Sequence, residues 1–321
     1  MEVKNLKLLK LKISYFYIIL IFTFLSHSCQ PIEKEKSIEM NWTSFDLDMP
    51  KGIQILQGVN KEIPLKAWVA VVDLSNEKIT AKILSSFDKD RMETPSQFML
   101  NTNALIVMNG GYFISNKIPA SHVGLLKTDG ILREPASPSL LKDNLRYFIS
   151  RGAFGLSRDG FPDIAWATTK MDSIFQLVKP INNRPGFAAH PITKDEKIHW
   201  NVYGAIHAGP VLMSNGEINI TLEEEVFFNT PIAGVHPRSA IGYTKKNELI
   251  MMVVDGRQPE SRGVYLEELA IMLKSFNCHE ALNLDGGGSS AIVADTRLLN
   301  RPSGLTSQRE VMSAIGIYYN K

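Results

Sequence analysis

Two cysteines in 321 residues are too few for a disulfide scaffold or a paired-cysteine zinc site. No HExxH motif occurs, and Ser289-Ser290 rather than Lys-Ser/Thr follows the glycine run Gly286–Gly288. A zinc-protease helix and a phosphate-binding P-loop are therefore excluded. No histidine follows Ser289, which leaves the Ser, Asp, His order of a serine hydrolase incomplete. Charge of neither sign dominates: 35 Lys and Arg against 33 Asp and Glu give a formal net charge of +2. No basic cluster interleaved with aromatics is present, so nucleic acid is not an expected partner. Repeats and low-complexity segments are also missing. The rest is a globular chain, long enough for one large domain or two small ones and for a core that needs no staples.

The N-terminus has its own plan. Lys4, Lys7, Lys10 and Lys12 form a basic region, and Ile13 to Leu25 is almost wholly apolar. That run falls short of the roughly 20 residues a membrane-spanning helix needs. Ser26-His27-Ser28-Cys29 follows, as expected for a secretory signal. Cys29 at the junction resembles the lipidated cysteine of bacterial lipoproteins, although His27 is unorthodox there. The expected organisation is a signal peptide over 1–28, a tether and N-terminal segment over 29–60, and a single folded domain over 61–321. The expected location is the cell envelope, membrane-anchored through Cys29 (outer membrane or cell surface), or secreted if the lipobox is not used. Cys278 is expected to be a buried, inert thiol.

Beyond residue 61, short β-rich runs dominate. KAWVAVVDL and KITAKIL flank Ser75-Asn76, which reads as a hairpin turn. Thr94-Pro95 opens a short helix. ALIVMN reads as a buried strand ending in Asn109-Gly110-Gly111. Asn215-Gly216 is a hairpin signal, and Lys170 to Tyr203 has no clear pattern. Leu266, Leu269, Ala270, Leu273 and Phe276 share one face of a helix over Tyr265–Phe276. The expected class is α+β, with a mixed, largely antiparallel sheet and a few packed helices in a single catalytic domain.

Four polar clusters end or adjoin apolar runs: Asn109-Gly110-Gly111, His236-Pro237-Arg238, Asp255-Gly256-Arg257 and Asp285-Gly286-Gly287-Gly288-Ser289. Strand ends of one sheet would gather them, and sites collect at such ends. Three adjacent glycines cost chain entropy, so such a run implies close backbone approach or positive φ. Its N–H groups suit an anion-binding nest. Arg238 and Arg257 suit bidentate phosphate contact, or structural ion pairs with an aspartate. Asp285 and Asp255 offer the carboxylate pair that glycosidic cleavage uses, or oxygen ligands for Ca²⁺ or Mg²⁺. His236 reads as a general acid or a structural histidine. Asn109 and Ser289 would bind sugar hydroxyls, with a simple turn as the alternative for Asn109.

NGGYF (109–113), AGPVLMSNG (208–216), HPRSAIGY (236–243), VVDGRQPESRGVYLEELA (253–270) and LNLDGGGSSAIV (282–293) occur in that order. The set resembles the phosphodiester glycosidase domain family from about Ala104 onward. The resemblance implies hydrolysis of a sugar-1-phosphodiester at the glycosidic C–O bond. A sugar such as N-acetylglucosamine would leave, and a phosphomonoester would remain. Asp285 and Asp255 would be catalytic. Asn109, Gly110, Gly111, His236, Arg238, Arg257, Gly286, Gly287, Gly288 and Ser289 would bind a sugar-phosphate diester or phosphodiester-linked glycan. Two alternatives stay open: a metal-assisted phosphodiesterase, and a non-catalytic surface glycan-binding lipoprotein. Tyr265 departs from the threonine common in relatives and cannot cap its helix in the same way.

Overall fold

The computed structural model describes residues 38–304 and 307–320. The basic and apolar N-terminal run, the proposed cleavage point and Cys29 lie outside the described residues. So does most of the tether before Ile38. Among the described residues there are 24 strands and two α-helices, and every strand pairing is antiparallel. The expected α+β class is therefore wrong: the fold is mostly β. The helix period appears only at Pro95–Thr102 and Leu266–Ser275. Nearly all the other apolar runs find strand partners instead of helices to pack on.

Three sheets carry the structure. The largest has eight strands, in the order Asn41–Ser44, Ile53–Asn60, Leu65–Asp73, Glu248–Val254, Arg238–Thr244, Cys278–Asn283, Val211–Ser214 and Glu217–Ile218. Its first two strands fall within the stretch assigned to the tether and N-terminal segment. A five-stranded sheet has Ile106–Asn109 at its centre, between Ile292–Ala294 and Ser313–Tyr319, with Ile79–Ser85 at one edge. A seven-stranded sheet runs from Lys197–His199 through Arg151–Leu156 to Ile131–Glu134. It also takes in Pro162–Lys170, and Ser173–Leu177 and Lys197–His199 come from the region with no readable pattern.

Strand alternation explains how the layers meet. Along Leu65–Asp73, Trp68, Ala70 and Val72 face a core shared by all three sheets, with Ile106, Met108, Phe154, Ile206, Met251 and Ile315. Leu65, Ala67 and Val69 face the other way, toward the helix residues Leu266, Leu269, Ala270 and Leu273. Both faces are buried, so the run is continuously apolar rather than alternating. Truncating a side chain such as Leu269, which has no exposed surface, to Ala costs about 2–5 kcal/mol. The Ser75-Asn76 hairpin does not form. Leu65–Asp73 pairs with Ile53–Asn60 and Glu248–Val254, whereas Ile79–Ser85 pairs with Ser313–Tyr319. The link carries the chain from one sheet to another.

Candidate active site

Antiparallel register gathers three of the four polar clusters. Arg238 opens the strand Arg238–Thr244 and lies opposite Val254, while Ala240 lies opposite Asn283. Asp255 and Asp285 thus sit just past the ends of the two strands that flank the start of the third. The fourth cluster comes from elsewhere. Asn109 ends a strand of the five-stranded sheet, so one sheet does not supply every member as expected. Its Nδ2 donates to the Asp285 carbonyl at 2.7 Å, and its Oδ1 accepts from Ser239 Oγ at 2.6 Å and Ala291 N–H at 3.2 Å. The Asp285 N–H donates back to Gly110 O at 3.0 Å. Asn109 has no exposed surface, and its amide holds the two sheets together around Asp285 instead of facing a sugar.

The two aspartates differ in what they touch. Asp255 is 2% exposed. Its carboxylate accepts Asn300 Nδ2 at 3.0 Å and the Arg301 N–H at 3.1 and 3.2 Å. Asn300 Nδ2 also donates to Ser290 O at 2.9 Å, which links Asp255 to the loop that follows Asp285. Asp285 is half-buried, and its carboxylate lies near the Ser289 hydroxyl and the Gly286 N–H. Burial pushes its pKa up to about 6, against the opposing pull of the Ser289 hydroxyl, the Arg309 charge and the Gly286 N–H. Burial likewise pushes Asp255 up to about 6, against its Asn300 and Arg301 donors.

The cations have different duties too. Arg238 is 2% exposed. Its Nη2 donates to the carbonyls of Ile232 and Gly234, each at 2.6 Å, and its Nε donates to Val264 O at 3.2 Å. Burial lowers its pKa to about 10, so it keeps its charge at neutral pH. Carbonyls neutralise no charge, and the guanidinium remains a source of positive field beside Tyr112. Arg257 is exposed, and its Nη2 donates to His236 Nδ1 at 3.1 Å. Arginine can only donate, so the histidine is the Nε2–H tautomer and donates to Pro231 O at 2.6 Å. Both ring nitrogens are engaged, which makes His236 an orienting group for Arg257.

The glycine loop gives room rather than a full nest. A β-carbon on Gly287 (φ +64°) would lie 3.2 Å from Arg257 Nη2, and one on Gly288 would lie 2.8 Å from Arg309 Nη2. The N–H groups of Gly287, Ser289 and Ser290 already donate to Pro237, Gly286 and Gly287 carbonyls. The Gly110 N–H is likewise engaged by Ser313 O at 2.9 Å and that of Gly111 by Ser313 Oγ at 3.3 Å. A side chain on Gly111 would collide with the His207 carbonyl. Ser289 is 1% exposed, and its hydroxyl has no hydrogen-bond partner of normal geometry among the described residues, although it lies close enough to lower the Asp285 pKa.

The family model for phosphodiester glycosidases matches residues 102–318. The chain belongs to the phosphodiester glycosidase family. N-acetylglucosamine-1-phosphodiester alpha-N-acetylglucosaminidase of Bos taurus is 36% identical over 101 residues, which is 29% of this chain and 19% of the bovine protein. The Homo sapiens protein of the same name is 35% identical over 101 residues, with the same coverage. The match thus spans about a fifth of these relatives' length. Among solved structures, the auto-inhibited catalytic domain of the zebrafish protein of that name superposes with a TM-score of 0.58 at 21% identity, covering 92% of this chain and 86% of that one. That last likeness concerns the fold alone.

Sequence reasoning missed two residues of this candidate site. Arg309 packs over Gly288 and acts on Asp285, but it sits in a stretch with no motif. Tyr112 lay inside a quoted motif without being assigned a task. Its hydroxyl donates to Gly209 O at 2.7 Å and accepts from Asn283 Nδ2 at 2.9 Å. Burial and the nearby Asp285 hold its pKa well above the ordinary phenol value, while Arg238 and Arg151 pull the other way. Asp285 and Arg238 thus act on one side chain. As for a divalent cation, no group of three ligating side chains occurs among the described residues. The Asp255 oxygens face N–H donors, the reverse of a cation's needs. No helix among the described residues is long and apolar enough to cross a membrane.

Proposed function

We propose that this protein hydrolyses a sugar-1-phosphodiester by cleaving the glycosidic C–O bond. The observation that carries this reading is the place of Asp285, a half-buried carboxyl at the head of a glycine loop flanked by Arg257 and Arg309, which burial raises to about 6. Such a group titrates close to neutral pH, where an acid-base catalyst works best. The diester phosphate docks against Arg257 and Arg309 within the field of Arg238. Asp285 takes a proton from water as the water oxygen bonds to the anomeric carbon. The bond from that carbon to the phosphate oxygen breaks, and the electron pair leaves on the phosphomonoester. Guanidinium groups neutralise the developing charge, so the leaving oxygen needs no separate acid. Asp255, tied to Asn300 and Arg301, keeps the loop in place instead of acting on substrate.

The names of the bovine and human relatives support a sugar such as N-acetylglucosamine. A diester built on that sugar, or a phosphodiester-linked glycan, is the proposed substrate. The same proposal extends to the N-terminus, where a lipid on Cys29 tethers the domain to the cell envelope. Loss of labelled fatty-acid incorporation in Cys29→Ser tests that part. For the chemistry, hydrolysis in ¹⁸O water decides. Label in the released sugar supports C–O cleavage. Label in the phosphate makes the protein a phosphodiesterase, and binding without turnover makes it a glycan-binding protein.

A further inference from the structure

Arg151 opens the strand Arg151–Leu156 and figures in none of the motifs above. Its neighbour Gly152 donates its N–H to Glu225 Oε2 at 2.8 Å, which anchors the start of the strand. The Arg151 guanidinium lies over the Phe227 ring, 4.3 Å from its centroid. Phe227 in turn tilts against Tyr112, with ring centroids 5.9 Å apart. Asn283, two residues before Asp285, donates to the Tyr112 hydroxyl. Contacts thus run from Arg151 through Phe227 and Tyr112 to Asn283, on the strand that leads into Asp285.

Among the described residues no group accepts a hydrogen bond from Arg151, and its Nε is buried without a partner. The Glu225 charge offsets part of the cost of burying Arg151, but it makes no direct ion pair with the guanidinium. The Glu225 oxygens accept the N–H groups of Gly152 and Val211 and the Thr221 hydroxyl, at 2.8, 2.8 and 2.6 Å. Arg238 and Arg257, by contrast, already donate within the protein. A guanidinium presents five N–H donors in a rigid fork. Holding that guanidinium half-buried and stacked on an aromatic face, with its Nε buried and without a partner, is unfavourable for the folded chain alone. A ligand with anionic oxygens relieves it in bidentate fashion.

We propose that Arg151 is a substrate-binding residue that grips anionic oxygens beside Tyr112. This deepens the sugar-phosphodiester reading and rests on it for the substrate. Two sources carry the same chemistry: the scissile phosphate itself, or a carboxylate on the sugar. Two probes separate them. Methyl glucose-1-phosphate diester carries only the phosphate charge, and the corresponding glucuronic acid diester adds a carboxylate.

Equilibrium binding is measured for the wild type, Arg151→Met and Arg151→Lys, with melting curves to confirm folding. Methionine keeps the contact with Phe227, and lysine keeps the charge without the fork, so a misfolded Met variant leaves the Lys variant to decide. The expected result is binding at least tenfold weaker in Arg151→Met, with partial recovery in Arg151→Lys. Equal loss for both probes assigns the phosphate. Loss confined to the glucuronate probe assigns the carboxylate. Wild-type affinity for both probes in both folded variants overturns the proposal, as does a wild type that binds neither. Turnover is scored separately: a wild type that binds through Arg151 without hydrolysis sinks the catalytic reading and leaves this one standing.

Discussion

Asp255 and Asp285 look alike in the sequence, each an aspartate followed by glycine after an apolar run. They occupy matching places past the ends of the two strands that flank Arg238–Thr244. Burial raises both to about 6. They part company in their donors. Asp255 is held through its carboxylate by Asn300 and the Arg301 N–H, whereas Asp285 is anchored through its own carbonyl and N–H, and its carboxylate lies near the Ser289 hydroxyl, the Gly286 N–H and the Arg309 charge. A perturbed pKa therefore does not by itself mark the reacting group. Whether hydrogen-bonding capacity remains is what separates a strut from a catalyst.

The largest test of this contrast is turnover. Asp285→Asn should fold and lose about 10²–10⁴ in kcat, the range for removing a general base. Asp255→Asn should retain most of its kcat, measured on the same diester. Equal losses in the two variants would erase the distinction. Next comes stability. An amide at 255 confronts the Asn300 and Arg301 donors with a donor of its own, so Asp255→Asn should lose about 1–3 kcal/mol in urea unfolding. Asn109→Ala should lose a similar amount, since three hydrogen bonds around Asp285 go with it.

The smaller effects concern pH. A carboxyl raised by folding binds its proton more tightly in the folded chain. The associated stability is complete below the unfolded-state value near 4 and is lost as pH rises through about 6. Asparagine mimics the protonated form. Asp285→Asn should therefore melt above the wild type at pH 7.5, with the gap closing at pH 4.5. For the same reason, kcat/KM of the wild type should fall along a single ionisation below about pH 6. A flat profile would remove Asp285 from proton transfer.

The candidate site was legible where the sequence signal is local. Polar clusters closing apolar runs pointed to Asp285 and Arg257, and Thr94-Pro95 marked a helix whose Thr94 and Gln97 form a capping box. At the other helix only half a box forms: Glu268 accepts the Tyr265 N–H at 2.9 Å and pairs with Arg262 at 2.6 Å. Tyr265 has no short side-chain oxygen to return the bond, as its sequence position foretold. The rest was hidden because it is non-local. The partners of Asp255 lie 45 and 46 residues away, and the donor set of Asn109 spans two sheets. The α+β expectation failed for the same reason. Periodicity shows that a run is apolar, but it does not show that the run's partner is another strand hundreds of residues on.

The pairing of Ile79–Ser85 with Ser313–Tyr319 joins an early strand to a late one across more than two hundred positions. Such long-range closure slows folding, because the loop must form before its contacts reward it. A ribosome-bound fragment lacking the late strand exposes a bare β-edge where that partner belongs, an invitation to aggregation. The five-stranded sheet therefore closes only once Ser313–Tyr319 has been made, and any nascent chain that stops short of it remains open along that edge.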